Sequence, residues 1–503
     1  MLVRLLASDF CSCLCRGNGH AGTDDRKRKG EEVRLSYIKR GNWKINIQKI
    51  RKIEYDTICN LTLRFEGGSP MKEAGAAVSI ERLRSRIASL GRIGAIGATS
   101  ASRPAMSALD AQARETVRSW MEEAGMKARV DAFGNLIGRM EGKEDGPVLM
   151  LGSHIDTQPN AGLYDGVAGV VGAIEAVQLL RDSGEPPQGP VEVAVFSDEE
   201  GCRFDKGLFG SRGLAGRLEE GELDRTDAQG VTRREALLTF GGDPGRFAED
   251  ACSPGAVKAY LELHIEQGPV LESLNASCGL VTGISGPLWW TVELRGFAGH
   301  AGSVPMAMRR DALAGAAAVI AGLQDLLRGE EGSPAVGTVG SLHVYPNSRN
   351  VIPERVRFTV DLRDMDMSRR GRLERRLRLL IADKAADNGL EWDLVVDTDS
   401  EPRYCDPDLM AAVREAAAEA GLPLPELMSG PFHDALAMSH VCPYAMIFIR
   451  SRDGISHNPL EYSSPEDIAA GTELLARTLM RLAARPPYGE GGRRDGNRQA
   501  EKL

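Results

Sequence analysis

The chain has 503 residues, of which 42% are apolar and 26% are charged, and its formal net charge at pH 7 is −9. This composition is ordinary for a globular protein, and the length predicts more than one domain. The acidic balance argues against a nucleic-acid-binding protein. No apolar run reaches the roughly 18–20 residues that cross a bilayer, which argues against a membrane protein.

The cysteines indicate a reducing compartment. Beyond residue 70 they are widely scattered, which does not fit a disulfide framework. The first seven residues have some character of a signal peptide, but Asp9 interrupts the apolar stretch and no small-residue cleavage site follows. We therefore expect a cytoplasmic protein.

Residues 1 to about 70 differ from the rest in being rich in lysine and poor in alanine, and the predicted tail extends to residue 77. Cys11, Cys13 and Cys15 alternate there, and we interpret them as tail cysteines and not as a metal site. The segment is expected to be an appended tail, either disordered or upstream of a native start at Met71.

Strands and helices alternate from about residue 78 onward, in an order typical of an α/β sheet with parallel strands. Ser107 begins a capping box that predicts a helix, and Gly125 ends it. The next predicted elements are strand 148–153, helix 165–182, strand 191–196 and strand 260–264.

A second unit begins near Gly286, and its order of strand, helix, strand, strand, helix, strand indicates a compact ferredoxin-like domain. Its elements are predicted at 289–295, 310–327, 337–345, 355–363, 369–388 and 391–397. A helix, a buried strand and a last helix follow at 409–420, 444–449 and 464–483. These complete the first domain, so the ferredoxin-like unit is an insertion. The predicted boundaries are 78–285 and 399–485 for the first domain, 286–398 for the insertion and 486–503 for a mobile tail.

Histidines and acidic residues stand at the ends of the predicted strands, where ligand sites form in open α/β sheets. His154 follows strand 148–153, and Asp156, two residues later, is placed to fix its imidazole ring. Asp165 begins a helix, where its carboxylate could bridge two cations or simply cap the helix.

Acidic residues and histidines also stand at the ends of three other predicted strands. Glu199 and Glu200 follow strand 191–196. Because adjacent carboxylates point in different directions, one can bind a metal while the other takes a proton from water; a solvated acidic turn is the alternative. His264 ends strand 260–264, and His457 follows the strand that ends near Ile449.

Imidazole and carboxylate ligands without thiolate suit Zn²⁺, Mn²⁺ or Co²⁺. The sequence therefore predicts two divalent cations about 3.5–4 Å apart, which would polarise a scissile carbonyl and generate hydroxide near neutral pH.

Five motifs occur in chain order within roughly residues 78–485. They are Gly152-Ser-His-Ile-Asp-Thr157, Asp165-Gly166, Asp198-Glu-Glu-Gly-Cys-Arg-Phe204, Leu263-His-Ile-Glu-Gln-Gly-Pro269 and Gly299-His-Ala-Gly302. They resemble the M20 metallopeptidase clan, specifically its amidase branch of N-carbamoyl-L-amino-acid hydrolases, β-ureidopropionases and allantoate amidohydrolases. The fourth motif separates this branch from the peptidases of the clan.

The resemblance implies a metal site with a bridging ligand. One metal would be held by His154, Asp165 and His264, and the other by Asp165, Glu200 and His457, with Asp165 shared. Glu199 would be the general base.

The resemblance also implies a substrate site in the smaller domain, formed by His300, Asn350 and Arg363, with Gln267 as a further contact. A guanidinium can hold a carboxylate bidentately, an amide can bind a ureido group, and a histidine can donate to an oxyanion. Arg363 follows Asp361 on a predicted strand, so a surface salt bridge is its alternative interpretation. In similar enzymes the smaller domain dimerises, and the residue matching His300 reaches the partner's active site.

The predicted function is hydrolysis of an N-carbamoyl-L-amino acid to the amino acid, CO₂ and NH₃. Allantoate amidohydrolase, β-ureidopropionase, aminoacylase, dipeptidase and a non-catalytic binding protein remain alternatives. The apolar run 287–290 stands where allantoate-type members tend to carry Gln and Arg, which disfavours allantoate unless those residues are core or dimer contacts. His433 and Asp434 are expected near the site without an assigned role, and His343 and His440 are interpreted as structural.

Overall fold

The computed structural model describes residues 77–330 and 332–485. The predictions for the two tails, including the three alternating cysteines, lie outside the described residues. The described part contains two larger sheets, each with its own hydrophobic core, and a two-stranded ribbon. No helix in this part is long and apolar enough to cross a membrane.

The strands in chain order are β1 Lys127–Val130, β2 Leu136–Met140, β3 Val148–His154, β4 Val191–Phe196, β5 Val257–Ile265, β6 Cys278–Ile284, β7 Gly286–Arg295, β8 Gly299–His300, β9 Val336–Thr338, β10 Leu342–Tyr345, β11 Val351–Ile352, β12 Arg355–Asp364, β13 Glu391–Asp399, β14 Arg403–Tyr404, β15 Glu426–Ser429 and β16 Tyr444–Ile449.

The α-helices are α1 Ile80–Arg92, α2 Ala108–Glu123, α3 Val167–Asp182, α4 Phe209–Leu214, α5 Arg233–Phe240, α6 Phe247–Asp250, α7 Val270–Ser273, α8 Ala312–Arg328, α9 Met367–Asp387, α10 Pro407–Ala420, α11 Asp434–Met438 and α12 Pro465–Ala483.

The larger sheet has the strand order β1-β2-β4-β3-β5-β16-β6-β14, with β15 paired to β6. Its central strands β4, β3, β5 and β16 are parallel, as the sequence predicts, while β2 and β6 pair antiparallel at their sides. The buried apolar strands pack against α3, whose residues are nearly all buried, and α12 packs on α3. Because the central strands are parallel, their carboxyl ends lie at one edge of the sheet.

The helix predicted from residue 165 begins at Val167. Gly166 is its N-cap with φ 63°, a left-handed conformation that favours glycine. An added Cβ at Gly166 would lie 2.5 Å from the His154 ring. Asp165 therefore stands in the loop just before the helix, and its carboxylate does not cap it.

The second sheet is antiparallel, with the order β10-β12-β7-β13 and β9 also paired to β12. Helices α8 and α9 complete its core around Trp290 and Phe358. The single strand predicted at 337–345 is wrong, because β9 and β10 pair with separate stretches of the long strand β12. The ribbon β8–β11 carries His300 opposite Val351.

Candidate metal centre

The carboxyl ends of the parallel strands bring the predicted ligands together. His154 is the last residue of β3, His264 lies near the end of β5, and Glu200 follows β4. Asp165 comes from the loop before α3, and His457 from the loop after β16. His154, His264 and Asp165 are buried, whereas the side chain of His457 is 46% exposed. The cluster is thus buried at His154, His264 and Asp165 and accessible to solvent at His457.

Asp165 lies in the middle of the cluster. Its Oδ1 is 3.6 Å from Nε2 of His154 and 3.2 Å from Nε2 of His264. Its Oδ2 is 3.1 Å from Nε2 of His457, which is also 3.5 Å from Oε2 of Glu200. Potential ligand atoms of each half lie within 4.8 Å of one another. Since the two oxygens face different histidines, this carboxylate can bridge two cations.

Backbone carbonyl groups orient the two buried imidazole rings. Nδ1 of His154 donates to the carbonyl of Asp156 at 3.0 Å, and Nδ1 of His264 donates to the carbonyl of Ile265 at 2.9 Å. A carbonyl can only accept, so Nδ1 of each ring carries a hydrogen and Nε2 is the nitrogen that faces Asp165. When it is deprotonated, this Nε2 is free to bind a cation.

Asp156 contacts the His154 ring as predicted, but it does so through its backbone carbonyl, because its carboxylate Oδ1 is 3.7 Å from Nδ1. Strand β3 ends at His154, so the alternation that places every second residue on one face does not extend to Asp156. The carboxylate instead accepts from the backbone N–H groups of Glu199 and Glu200 at 3.3 and 3.2 Å. Asp156 therefore holds the turn that carries both glutamates.

The two glutamates have different surroundings. Glu200 accepts from the side-chain amide of Gln158 at 2.8 Å and from its backbone N–H at 3.2 Å. Glu199 lies 3.6 Å from Nε2 of His154, and no N–H or O–H within the described ranges donates to its carboxylate. Glu200 is thus held in place beside His457, while Glu199 keeps free lone pairs. Gln158 was not predicted, because nothing in the sequence distinguishes it from an ordinary loop glutamine.

Burial and hydrogen bonds shift several pKa values in the site. Burial alone would raise the pKa of Asp165, but hydrogen bonds from His154, His264 and His457 hold it well below its usual range. Burial raises the pKa of Glu199 well above its ordinary value and that of Glu200 to about 7. The hydrogen bond to Asp165 raises the pKa of His457 to about 9.

The charge balance of the site fits divalent cations. No lysine or arginine in the described ranges forms an ion pair with Asp165, Glu199, Glu200 or Asp156. Neutralising these buried carboxylates therefore requires protons or cations. Three imidazoles and several carboxylates without thiolate match the donor set that Zn²⁺, Mn²⁺ and Co²⁺ accept.

A polar layer lies behind His264. The ring of His433 is 4.3 Å from that of His264, and its Nε2 is 2.9 Å from Oγ of Ser429. Glu262 accepts from the backbone N–H of Ala435 at 2.8 Å. Glu262, His264 and His433 could also hold a cation by proximity alone. Because their atoms are largely used in these contacts, we interpret the layer as support for His264.

Of the predicted substrate residues, only Gln267 reaches the cluster. Its Nε2 is 2.8 Å from Oδ2 of Asp165 and 3.4 Å from Nε2 of His457. His300 and Asn350 are exposed neighbours in the ribbon, where the N–H of Ala301 donates to the carbonyl of Asn350. Within residues 77–330 and 332–485, the hydrogen bonds of these two residues stay inside that ribbon segment.

Arg363 joins the second sheet to a loop of the first. Its guanidinium donates to both carboxylate oxygens of Asp361, at 2.8–3.1 Å, and to the carbonyl of Gly430 at 2.6 Å. It also lies 5.5 Å from the ring of Phe432. The predicted alternative, a salt bridge with Asp361, is therefore present.

The apolar run at 287–290 is a weaker argument against allantoate than the sequence indicates, because most of it is core. Leu288 and Trp290 are 1% exposed and belong to the core of the second sheet. Only Trp289, at 37%, is accessible. Outside the cluster, His343 is exposed and contacts Ser341, and His440 contacts Arg217 and Arg403.

A buried ion-pair network supports the glutamate turn from the other side. Asp198, which precedes Glu199, has φ 53° and lies 3.0 Å from the fully buried guanidinium of Arg233. Arg233 also pairs with Glu222 at 2.9 Å. The network holds a residue in a backbone conformation that non-glycine residues rarely adopt.

Arg233→Ala is expected to lower the free energy of unfolding by about 3 kcal/mol, because it leaves a buried carboxylate without its cation. Glu222 would keep Arg212, which places the loss at the low end of the usual range. Urea unfolding measures the change. The control is Arg234→Ala, which removes an exposed arginine 3.7 Å from Asp224 and should cost under about 1 kcal/mol. Equal losses in the two variants would contradict a specific role for the buried network.

Comparison with known proteins identifies the family of the chain. Residues 150–481 match the family model described as Peptidase family M20/M25/M40. The chain is 40% identical over 407 residues to an N-carbamoyl-L-amino-acid amidohydrolase from Pseudomonas sp. (strain NS671), and 41% identical over 404 residues to one from Geobacillus stearothermophilus. Both matches cover 80% of this chain and 98% of the relative.

Somewhat less similar relatives are named for other activities. Allantoate deiminase from Arabidopsis thaliana is 36% identical over 421 residues, covering 78% of this chain and 80% of that protein. Among solved structures, an amidase of the hydantoinase/carbamoylase family from Burkholderia multivorans superposes with a TM-score of 0.75 at 37% identity, covering 82% of this chain and 99% of that one. The chain therefore belongs to peptidase family M20/M25/M40, and its relatives place it in the amidase branch of that family.

Proposed function

We propose that the protein hydrolyses the ureido C–N bonds of N-carbamoyl-L-amino acids, releasing the amino acid, CO₂ and NH₃, with two divalent cations per chain. The observation that carries the two-cation part is Asp165, whose two oxygens face different histidines. The substrate class is supported by the N-carbamoyl-L-amino-acid amidohydrolases, which are 40–41% identical to this chain and matched over nearly their whole length.

The residues present can divide the reaction between them. His154, Asp165 and His264 would hold one cation, and Asp165, Glu200 and His457 the other. Bound there, the cations would polarise the ureido carbonyl and lower the pKa of water. Glu199 would accept a proton from the attacking water and pass one to the leaving nitrogen, and its carboxylate is 3.6 Å from His154 with its lone pairs free for this role. The Asp156 carboxylate would hold Glu199 in place by accepting the backbone N–H of Glu199.

The smaller domain would complete the substrate site. We propose that residues 286–398 form an inserted ferredoxin-like domain between the catalytic segments 78–285 and 399–485, because the second sheet and its helices have a separate core. Arg363 would bind the substrate carboxylate, and Gln267 and Asn350 would contact polar groups. His300 would act across a homodimer, which is consistent with its exposed place in the ribbon. A cytoplasmic location agrees with the five unpaired cysteines of the described part.

The metal content and the substrate panel test this function together. We expect two divalent ions per active chain by elemental analysis, loss of activity on chelation and its return with Mn²⁺, Co²⁺ or Zn²⁺. Active protein with one ion or none would contradict the two-cation mechanism. The fully loaded enzyme should prefer N-carbamoyl-L-amino acids over allantoate, ureidoglycolate, N-carbamoyl-β-alanine, N-acetyl amino acids and dipeptides. A reversed preference would move the assignment to another activity of the same branch or family.

A further inference from the structure

Glu461 is not one of the five predicted metal ligands, yet its carboxylate contacts the segments that carry two of them. The residue is 3% exposed. Its Oε1 accepts the backbone N–H of Tyr164 at 2.9 Å and that of Asp165 at 3.1 Å. Its Oε2 lies 2.9 Å from Oγ of Ser456, the residue before His457.

Ser456 closes a ring of contacts around the bridging carboxylate. Its Oγ is also 2.9 Å from Oδ2 of Asp165, the oxygen that faces His457. Asp165 is therefore fixed at its backbone by Glu461 and at its carboxylate by Ser456. The loop before α3 and the loop after β16 are 296 positions apart at the Asp165–Glu461 contact, and this ring joins them.

Gly162 packs closely against the side chain of Glu461. A Cβ placed on Gly162 would lie 2.4 Å from both Cβ and Oε1 of Glu461, closer than real Cβ atoms approach. The loop before α3 thus packs directly on the Glu461 side chain, and any larger residue at 162 would displace one or the other. The close fit indicates that the position of Glu461 relative to Asp165 is tightly determined.

We propose that Glu461 is a positioning residue that sets the separation of Asp165 and His457, and so controls the affinity of the cation held by Asp165, Glu200 and His457. It has this effect through Ser456 and two backbone N–H groups, and it touches neither the cation nor the substrate. Without it, a buried N–H donor at Asp165 and a partly buried one at Tyr164 lose their acceptor, and the loop would have to move to satisfy them. This inference rests on the two-cation part of the proposed function.

The test measures binding of Co²⁺ alone to metal-free full-length protein, by competition with a chromophoric chelator. Glu461→Ala should weaken the ion held by Asp165, Glu200 and His457 by about 10- to 100-fold, as expected for a residue that orients a ligand. The other ion shares Asp165 but not His457, and its affinity should fall less. Glu461→Gln should stay within a few-fold of wild type, because its carbonyl can accept the N–H groups and its NH₂ can donate to Ser456. The visible absorption of bound Co²⁺ should change most for the ion held by Asp165, Glu200 and His457.

A matched control and a second variant keep the outcome decisive. Glu466→Ala removes an exposed glutamate five residues away and should bind both ions as wild type does. If Glu461→Ala does not fold, as judged by near-UV circular dichroism, Ser456→Ala decides. It removes the hydroxyl that contacts Asp165, Glu461 and Gln267 but keeps the bonds from Glu461 to the two backbone N–H groups, and it should weaken the same ion. Wild-type affinity for both ions in a folded Glu461→Ala, or in Ser456→Ala, would overturn the inference. Fewer than two ions in the wild type would instead overturn the two-cation function.

Discussion

Glu199→Gln is expected to keep both cations and to lower turnover by about 10²–10⁴, the usual contribution of a positioned general base. The amide has nearly the shape of the carboxylate but cannot accept a proton from water. Of the two adjacent glutamates, Glu199 is the one whose carboxylate accepts no hydrogen bond from the described residues, so its replacement disturbs few contacts. Single-turnover kinetics on fully metal-loaded protein measure the change.

Glu200→Gln provides the matched comparison, because the two positions are adjacent and the substitution is the same. Glu200 accepts two hydrogen bonds from Gln158 and faces His457 at 3.5 Å. Losing its charge should therefore weaken metal binding, and excess Mn²⁺, Co²⁺ or Zn²⁺ should restore part of the activity. No such rescue is expected for Glu199→Gln. The assignment of Glu199 as base and Glu200 as metal ligand would be wrong if Glu199→Gln lost metal and Glu200→Gln kept it.

The parts of the site that the sequence could predict are those tied to regular structure. Buried parallel strands can be recognised from apolar runs, and their carboxyl ends necessarily lie at one edge. This places His154, His264 and Glu200 in one cluster before any coordinates are known. The helix that begins after Ser107 could also be predicted from the sequence. The Ser107 side chain accepts from the N–H of Asp110, as the capping pattern predicts.

The parts that the sequence could not predict depend on loops whose conformation is set by distant contacts. Gln158, Ser456 and Glu461 contact the candidate ligands, but none is part of a periodic pattern or a capping signal. Their roles follow from how two loops far apart in sequence meet. The edge strands β1, β14 and β15 were also missed, because their short, partly exposed sequences carry no apolar run.

Arg363 shows how one prediction and its alternative can both describe the same side chain. The guanidinium has five N–H donors. Asp361 accepts from Nε and Nη2, and the carbonyl of Gly430 accepts from Nη1. Donors remain on both terminal nitrogens. Asp361 can therefore hold the guanidinium in one orientation while it also binds a substrate carboxylate.

Arg363→Ala is expected to reduce kcat/KM for an N-carbamoyl amino acid by about 30- to 5,000-fold, corresponding to about 2–5 kcal/mol for a charged hydrogen-bonded pair that loses one partner. Turnover can fall as well as affinity, since binding energy at the carboxylate also positions the scissile group. The measurement compares the acid with its carboxamide analogue. Wild type should strongly prefer the acid, and the variant should nearly lose this preference with its metal content unchanged.

The control for this experiment is Arg357→Ala, which removes an exposed arginine from the same strand and should preserve the preference. The result also separates the two contacts that Arg363 makes in the structure. If Arg363→Ala slowed the acid and the carboxamide equally, the residue would serve the link between the second sheet and the Gly430 loop. Loss of discrimination alone would identify the guanidinium as the group that recognises the carboxylate, because the link to Gly430 is broken for both substrates.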